Sequence, residues 1–102
     1  MPETISPQEA NVLLAEGTIT LLDVRRKADK EADPEMIPGA VWQDPEKVGE
    51  WEQALPPGMK VVIYCARGGS VSKSTLASLR ESNHDAVFIE GGIEAWKKIQ
   101  ER

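Results

Sequence analysis

Among its 102 residues this chain has one cysteine, Cys65, and one histidine, His84. A lone thiol has no partner for an intramolecular disulfide. Cysteine-based zinc and iron–sulfur sites need several ligands, so neither centre is expected. A single free thiol suits a reducing compartment. No apolar run approaches the ~18 residues of a membrane-spanning helix, and no basic-then-apolar stretch at the N-terminus reads as a signal peptide. The expected location is therefore the cytoplasm, with no membrane partner. Positive charge is also in deficit: 12 Lys and Arg stand against 17 Asp and Glu, for a net charge of −5. That balance disfavours nucleic acid and anionic lipid surfaces. It also means that any anion site must build its positive potential locally. Internal repeats and low-complexity tracts are missing.

What is present is ordinary for a globular protein. Hydrophobic residues make up 40% and charged residues 28% of the chain. The length predicts one domain spanning residues 1–102. Ser6-Pro7-Gln8-Glu9 reads as a capping box with proline at the first helical position. Ala10, Leu13 and Leu14 follow at helical spacing, and Gly17 closes that helix. Ile19 to Val24 is a β-prone run that becomes apolar, as in a buried strand. From Arg25 to Pro38 the chain is charged and irregular, with Pro34 and Pro38 as breakers, and the charged run from Arg25 to Glu31 reads as solvated surface.

Asp44-Pro45 predicts the start of another helix, with Val48, Trp51 and Leu55 on one face and Pro56-Pro57-Gly58 as its stop. Val61 to Tyr64 is the strongest strand signal. After Gly68-Gly69 a helix is expected from about Ser70 to Ser82, carrying Leu76, Ala77 and Leu79. Ala86 to Ile89 reads as a short strand. Gly91-Gly92 then leads into a last helix with Ile93, Trp96 and Ile99 on one side. Strands alternating with helices predict an α/β fold with a parallel sheet covered on both faces. In such folds ligands bind beyond the C-terminal strand ends. Cys65 lies at such an end.

The segment Tyr64-Cys65-Ala66-Arg67-Gly68-Gly69-Ser70-Val71-Ser72 concentrates the chemistry. A buried strand delivers Cys65, a glycine-rich turn follows, and a helix begins. Backbone N–H groups of a tight turn can form an anion-binding nest, and the helix start adds unpaired donors and a positive dipole end. Together they would stabilise a thiolate and make Cys65 a nucleophile. Arg67 could add a cation, and Ser70 and Ser72 could add donors. A buried cysteine used as a small hydrophobe is the bland alternative. A phosphatase loop follows the same logic but clamps phosphate with an arginine six positions after the cysteine, where this chain has Val71. A thioredoxin-like role needs a second cysteine. A thiolate that accepts one sulfur atom as a persulfide fits what remains.

Short motifs in order along the chain resemble the single-domain rhodaneses, or thiosulfate sulfurtransferases. They are Leu21-Leu22-Asp23-Val24-Arg25, Ile37-Pro38-Gly39-Ala40, Cys65 with Gly68 three residues on, and Glu90-Gly91-Gly92-Ile93 with Trp96. The resemblance implies a three-layer α/β fold with a five-stranded, mostly parallel sheet. It implies a transferase that moves sulfane sulfur from a donor such as thiosulfate through a Cys65 persulfide to cyanide or a thiol, without a cofactor. Ala66, Arg67, Gly68, Gly69, Ser70 and Val71 would bind the substrate around Cys65. Ser70 stands where many members carry an arginine, and Arg67 could compensate.

Arg25 has two readings, a pocket-lining cation or an ion pair with Asp23, Glu31 or another nearby acid. Asp23 reads as a structural acceptor, His84 as a surface turn residue rather than half of a Cys–His dyad, and Trp42 as a core-edge residue that could border the site. The alternatives for the whole protein are a sulfur-relay module that exchanges sulfur with a partner protein, and a thiol sensor whose cysteine is an oxidation target.

Overall fold

In the computed structural model, residues 3–17, 19–56, 58–67 and 69–100 are described. The elements in chain order are β1 (Thr4–Ile5), α1 (Pro7–Glu16), β2 (Ile19–Asp23), α2 (Lys27–Ala32) and β3 (Val41–Trp42). A 3-10 turn (Pro45–Lys47), α3 (Val48–Trp51) and a second 3-10 turn (Glu52–Ala54) follow. The chain ends with β4 (Lys60–Tyr64), α4 (Ser70–Glu81), β5 (Ala86–Ile89) and α5 (Gly92–Gln100). The strands form one sheet in the order β1-β5-β4-β2-β3, and every pairing is parallel. The sheet is thus fully parallel, and β4 lies at its centre. Among the described residues no helix is long and apolar enough to cross a membrane.

Strand alternation sorts the core onto two faces. Leu21, Val62, Tyr64, Val87 and Ile89 pack with Ala10 of α1 and with Ile93 and Trp96 of α5. Leu22, Val61, Ile63 and Phe88 pack with Trp51 of α3 and with Leu76 and Leu79 of α4. Both faces of the central strands are therefore dry, which is why their sequences are continuous apolar runs.

The helix signals operate as their chemistry predicts. The Ser6 side chain accepts a hydrogen bond from the Glu9 N–H at 3.1 Å, and Gly17 caps α1 in the left-handed conformation at φ 70°. Asp44 caps the next helical segment by accepting from the Glu46 N–H at 2.9 Å. That segment, expected as one helix, is a chain of 3-10, α and 3-10 turns. Its apolar face still lands as predicted, with Trp51 buried and Val48 and Leu55 packed beside it. Pro57, expected in the stop signal, lies outside the described residues.

Three expectations need correction. The stretch after Arg25 contains α2, a short helix with no buried residue, so no apolar stripe announces it. Arg25 itself is buried rather than solvated. In α4, Ala77 faces solvent and the inward face is Ser72, Thr75, Leu76 and Leu79, the positions three, four and seven apart that share one helical side.

Candidate active site

Cys65 follows directly on β4, at the C-terminal edge of the sheet and at its central strand. It is buried, with 5% of its surface exposed. The chain then turns through Ala66, Arg67 and Gly69 into α4. Gly68, singled out from the sequence, lies outside the described residues.

The shape of this turn is set from outside it. The N–H of Ile93 donates to the Cys65 carbonyl at 2.9 Å, and the N–H of Glu94 donates to the Ala66 carbonyl at 3.2 Å. The start of α5 thus spends its free N–H groups on the carbonyls of the cysteine turn. Gly92 makes this approach possible. A Cβ built there would lie 2.3 Å from the Cys65 carbonyl oxygen, and φ is 63°. Only glycine meets both demands. The described backbone has no cis peptide bond, so each N–H points opposite to its own carbonyl. With the Cys65 and Ala66 carbonyls turned to α5, the N–H groups of Ala66 and Arg67 point away from it.

A cavity of about 430 Å³ opens at this turn. Cys65, Ala66, Arg67, Gly69, Ser70 and Val71 line one side, and Arg26 and Asp29 line the other. The helix beyond starts at Gly69, whose conformation caps α4 without any side-chain hydrogen bond, and no acidic residue occupies its first turn. The donors at the start of α4 thus keep capacity for an anion. The turn and the helix start together form a concave, donor-rich surface beside a sulfur atom.

The positions of the arginines decide the local electrostatics. Arg25 is 1% exposed and points into the protein. Its Nε donates to both carboxylate oxygens of Asp23, and its Nη2 lies 2.8 Å from Asp23 Oδ2. Its terminal nitrogens also donate to the carbonyls of Asp33 and Glu35. All three side-chain nitrogens are engaged, so the structure places Arg25 in a buried ion pair and not in the cavity. Burial alone would lower its pKa, but the hydrogen bond and charge of Asp23 outweigh that and raise it.

Asp23 is the acceptor that the sequence suggested. Besides Arg25 it accepts the Tyr64 hydroxyl at 3.2 Å, and that same hydroxyl accepts the Ile37 N–H. The network ties the ends of β2 and β4 to the turn at Ile37-Pro38-Gly39-Ala40, where the Ala40 N–H donates to the Ile37 carbonyl across Gly39 at φ 90°.

Arg67 lines the cavity, but its Nε also donates to Glu94 at 3.0 Å. Both partners are more than half exposed, so this pair contributes little to stability. Arg26, which the sequence reading passed over, is exposed and stands on the cavity wall. Alternation is the signal that would have found it: Asp23 and Arg25 pair on one side of an extended backbone, which turns Arg26 to the other.

The remaining candidates lie elsewhere. His84 Nε2 sits 3.1 Å from Glu52 Oε2. It precedes β5 and so belongs to the opposite edge of a parallel sheet, roughly 16 Å of strand away from Cys65, which separates it from any dyad. Trp42 donates to the Arg25 carbonyl at 2.9 Å and carries the Lys30 ammonium over its ring, in a hollow apart from the cysteine. Among the described residues no group of three or more His, Cys, Asp or Glu side chains is placed to hold a metal ion.

Known proteins share this fold. The sequence matches the rhodanese-like domain family over residues 6–99. It is 30% identical over 100 residues to the probable adenylyltransferase/sulfurtransferase MoeZ of Mycobacterium tuberculosis, a match covering 93% of this chain and 24% of MoeZ. It is 31% identical over 106 residues to the tRNA uridine(34) hydroxylase of Acaryochloris marina, covering 97% of this chain and 34% of that protein. The chain thus spans about a quarter to a third of these relatives. Among solved structures, a Lactobacillus plantarum protein superposes with a TM-score of 0.83 at 27% identity, covering 96% of this chain and 84% of that one. A rhodanese-like domain protein from Staphylococcus aureus superposes with a TM-score of 0.79 at 28% identity, covering 94% and 91%. With its all-parallel five-stranded α/β fold and its match over residues 6–99, the chain belongs to the rhodanese-like family.

Proposed function

We propose that this protein is a sulfurtransferase of the thiosulfate type, with residues 1–102 acting as one catalytic unit and Cys65 as its persulfide carrier. The observation that carries this reading is the turn after β4. The Cys65 and Ala66 carbonyls are held by α5, so the N–H groups of Ala66 and Arg67 face away from that helix beside the chain's one thiol. A donor-rich concavity of this kind accommodates an anionic donor such as thiosulfate and the charge that develops on sulfur as it is transferred. In the first half-reaction the Cys65 thiolate attacks the outer sulfur of thiosulfate. A new S–S bond forms, the old one breaks, and sulfite leaves with the electron pair. In the second, a thiol or cyanide attacks the outer sulfur of the persulfide and Cys65 departs as thiolate. Neither half requires an external oxidant or a cofactor. Ala66, Gly69, Ser70 and Val71 shape the site around the transferred atom, and Arg67 stands at its rim.

A relay role is the second reading, favoured by the likeness to MoeZ, a probable adenylyltransferase/sulfurtransferase of which the match covers 24%. There Cys65 takes sulfur from a partner protein and turns over free thiosulfate slowly.

Intact mass after incubation with thiosulfate tests the proposal. Wild type should gain one sulfur atom, lose it on adding cyanide, and the Cys65→Ser variant should gain none. Rapid loading from a protein persulfide together with no loading from thiosulfate selects the relay. A wild-type protein that accepts sulfur from neither refutes both.

A further inference from the structure

Two cavities meet at Arg26. One is the cysteine cavity already described. The other, of about 250 Å³, runs between α4 and the segment that begins at Pro45. Arg26, Ser70 and Val71 belong to the walls of both, so the second cavity continues the first. Its remaining wall is mixed: Ser74, Thr75 and Ser78 line it from α4, and Pro45, Glu46 and Val48 line it from the other side.

The three arginines near the site differ in how far they are committed. Arg25 spends every side-chain nitrogen on Asp23 and on two backbone carbonyls. Arg67 is paired with Glu94. The Arg26 side chain has no ion pair and no hydrogen bond among the described residues, and it stands where the two cavities join. In a chain of net charge −5, it is the uncommitted cation facing the nucleophile's cavity.

We propose that Arg26 is the anion-binding and specificity-determining residue of this site, and that the groove beside it seats the body of an extended thiol bearing a carboxylate. The inference rests on Cys65 being the persulfide carrier. A guanidinium binds carboxylate through paired, charge-assisted hydrogen bonds. Beyond it, the hydroxyls of Ser74 and Ser78 can pair with amide groups, and Glu46 can accept from an amide N–H or an ammonium. One cation and one anion along a groove of mixed serine and aliphatic lining suit a zwitterionic, peptide-like thiol better than a small neutral one. With its carboxylate on Arg26, such an acceptor reaches into the cysteine cavity. Its thiolate attacks the outer sulfur of the protonated Cys65 persulfide. The new S–S bond forms, the bond to Cys65 Sγ breaks, and the electron pair returns to Cys65 as thiolate while the proton stays on the transferred sulfur.

The test uses the full chain, loaded with sulfur from inorganic polysulfide so that loading does not depend on thiosulfate. Discharge is followed by intact mass against two probes, glutathione and 2-mercaptoethanol, and the readout is the ratio of the two rates. Arg26→Ala should lower that ratio about tenfold, the scale of one charge-assisted contact, and Arg26→Lys should restore part of it. Ser78→Trp, which fills the groove without touching the cation, should lower it as well. A ratio that stays within about twofold of wild type in Arg26→Ala overturns the inference. A fall in Arg26→Ala with none in Ser78→Trp overturns the groove and keeps the cation. A wild-type Cys65 that takes up no sulfur refutes the sulfurtransferase reading itself, which separates that failure from this one.

Discussion

Asp23 and Arg25 bury a full charge pair at the C-terminal end of β2, with 0% and 1% of their surfaces exposed. Burying two charges costs much of what their attraction returns, so the pair's value lies in what it orders. Arg25 fastens the carbonyls of Asp33 and Glu35, and Asp23 holds the hydroxyl of Tyr64, the residue that precedes Cys65. Asp23→Asn leaves a buried guanidinium without its counter-charge and should destabilise the fold by about 3–5 kcal/mol. Combining it with Arg25→Met, which removes the orphaned charge, should recover part of that loss. Denaturant titrations of the two variants check this; a double variant less stable than the single one contradicts the account. The pair also shows where sequence reading stops. Two adjacent arginines look alike on paper until the pair with Asp23 fixes Arg25 on one side, after which alternation turns Arg26 to the cavity.

Helix ends do most of the positioning at the scale of elements. α4 begins at the cysteine turn and α5 grips that turn from behind, through Ile93 and Glu94. Gly92→Ala would put a methyl group against the Cys65 carbonyl and hold a non-glycine residue at positive φ. It should cost about 2 kcal/mol or more and slow sulfur uptake by about tenfold even where the protein stays folded, because the turn must move. Thermal melting and the rate of persulfide formation measure the two effects separately. A variant with normal uptake contradicts the role given to α5.

These elements were unequally legible. α1, β2, β4, β5 and α5 could be read because caps, glycine stops and β-branched runs mark them locally. β1 and β3 could not: each is two residues long and exists through pairing with a distant strand, β5 and β2 respectively. α2 carries no apolar stripe to reveal it. At the site, Cys65 and its loop were legible from composition and order, whereas the grip of α5 was not, because nothing near Cys65 in sequence encodes it.

The molecule as a whole should weaken at alkaline pH. Burial pushes the Tyr64 hydroxyl well above its ordinary value of 10.0, and the neighbouring Asp23 charge adds to this. The folded state therefore keeps a proton that the unfolded chain releases. Tyr64's contribution is complete below about pH 10 and is lost as pH rises from there, at up to about 1.4 kcal/mol per unit. Lys97 acts in the same direction: its hydrogen bond to Asp33 raises its pKa, so the support it gives the Asp33 segment also fades as pH climbs through that value. Tyr64→Phe should be less stable at neutral pH, because the Ile37 N–H and Asp23 lose a partner. Its stability should also fall less steeply above pH 10. Denaturant melts across pH 8–11 decide; equal slopes in both proteins rule out Tyr64 as the source.

The hold of α5 on the cysteine turn also bears on timing. A growing chain makes β4 and Cys65 first and the residues that fix their geometry later. Until Gly92 packs against the Cys65 carbonyl, the thiol sits on a turn of undefined shape. The geometry of the proposed site is therefore a product of finished folding and not of local sequence, so an unfinished or misfolded copy presents Cys65 without the arrangement on which the proposed sulfur transfer rests.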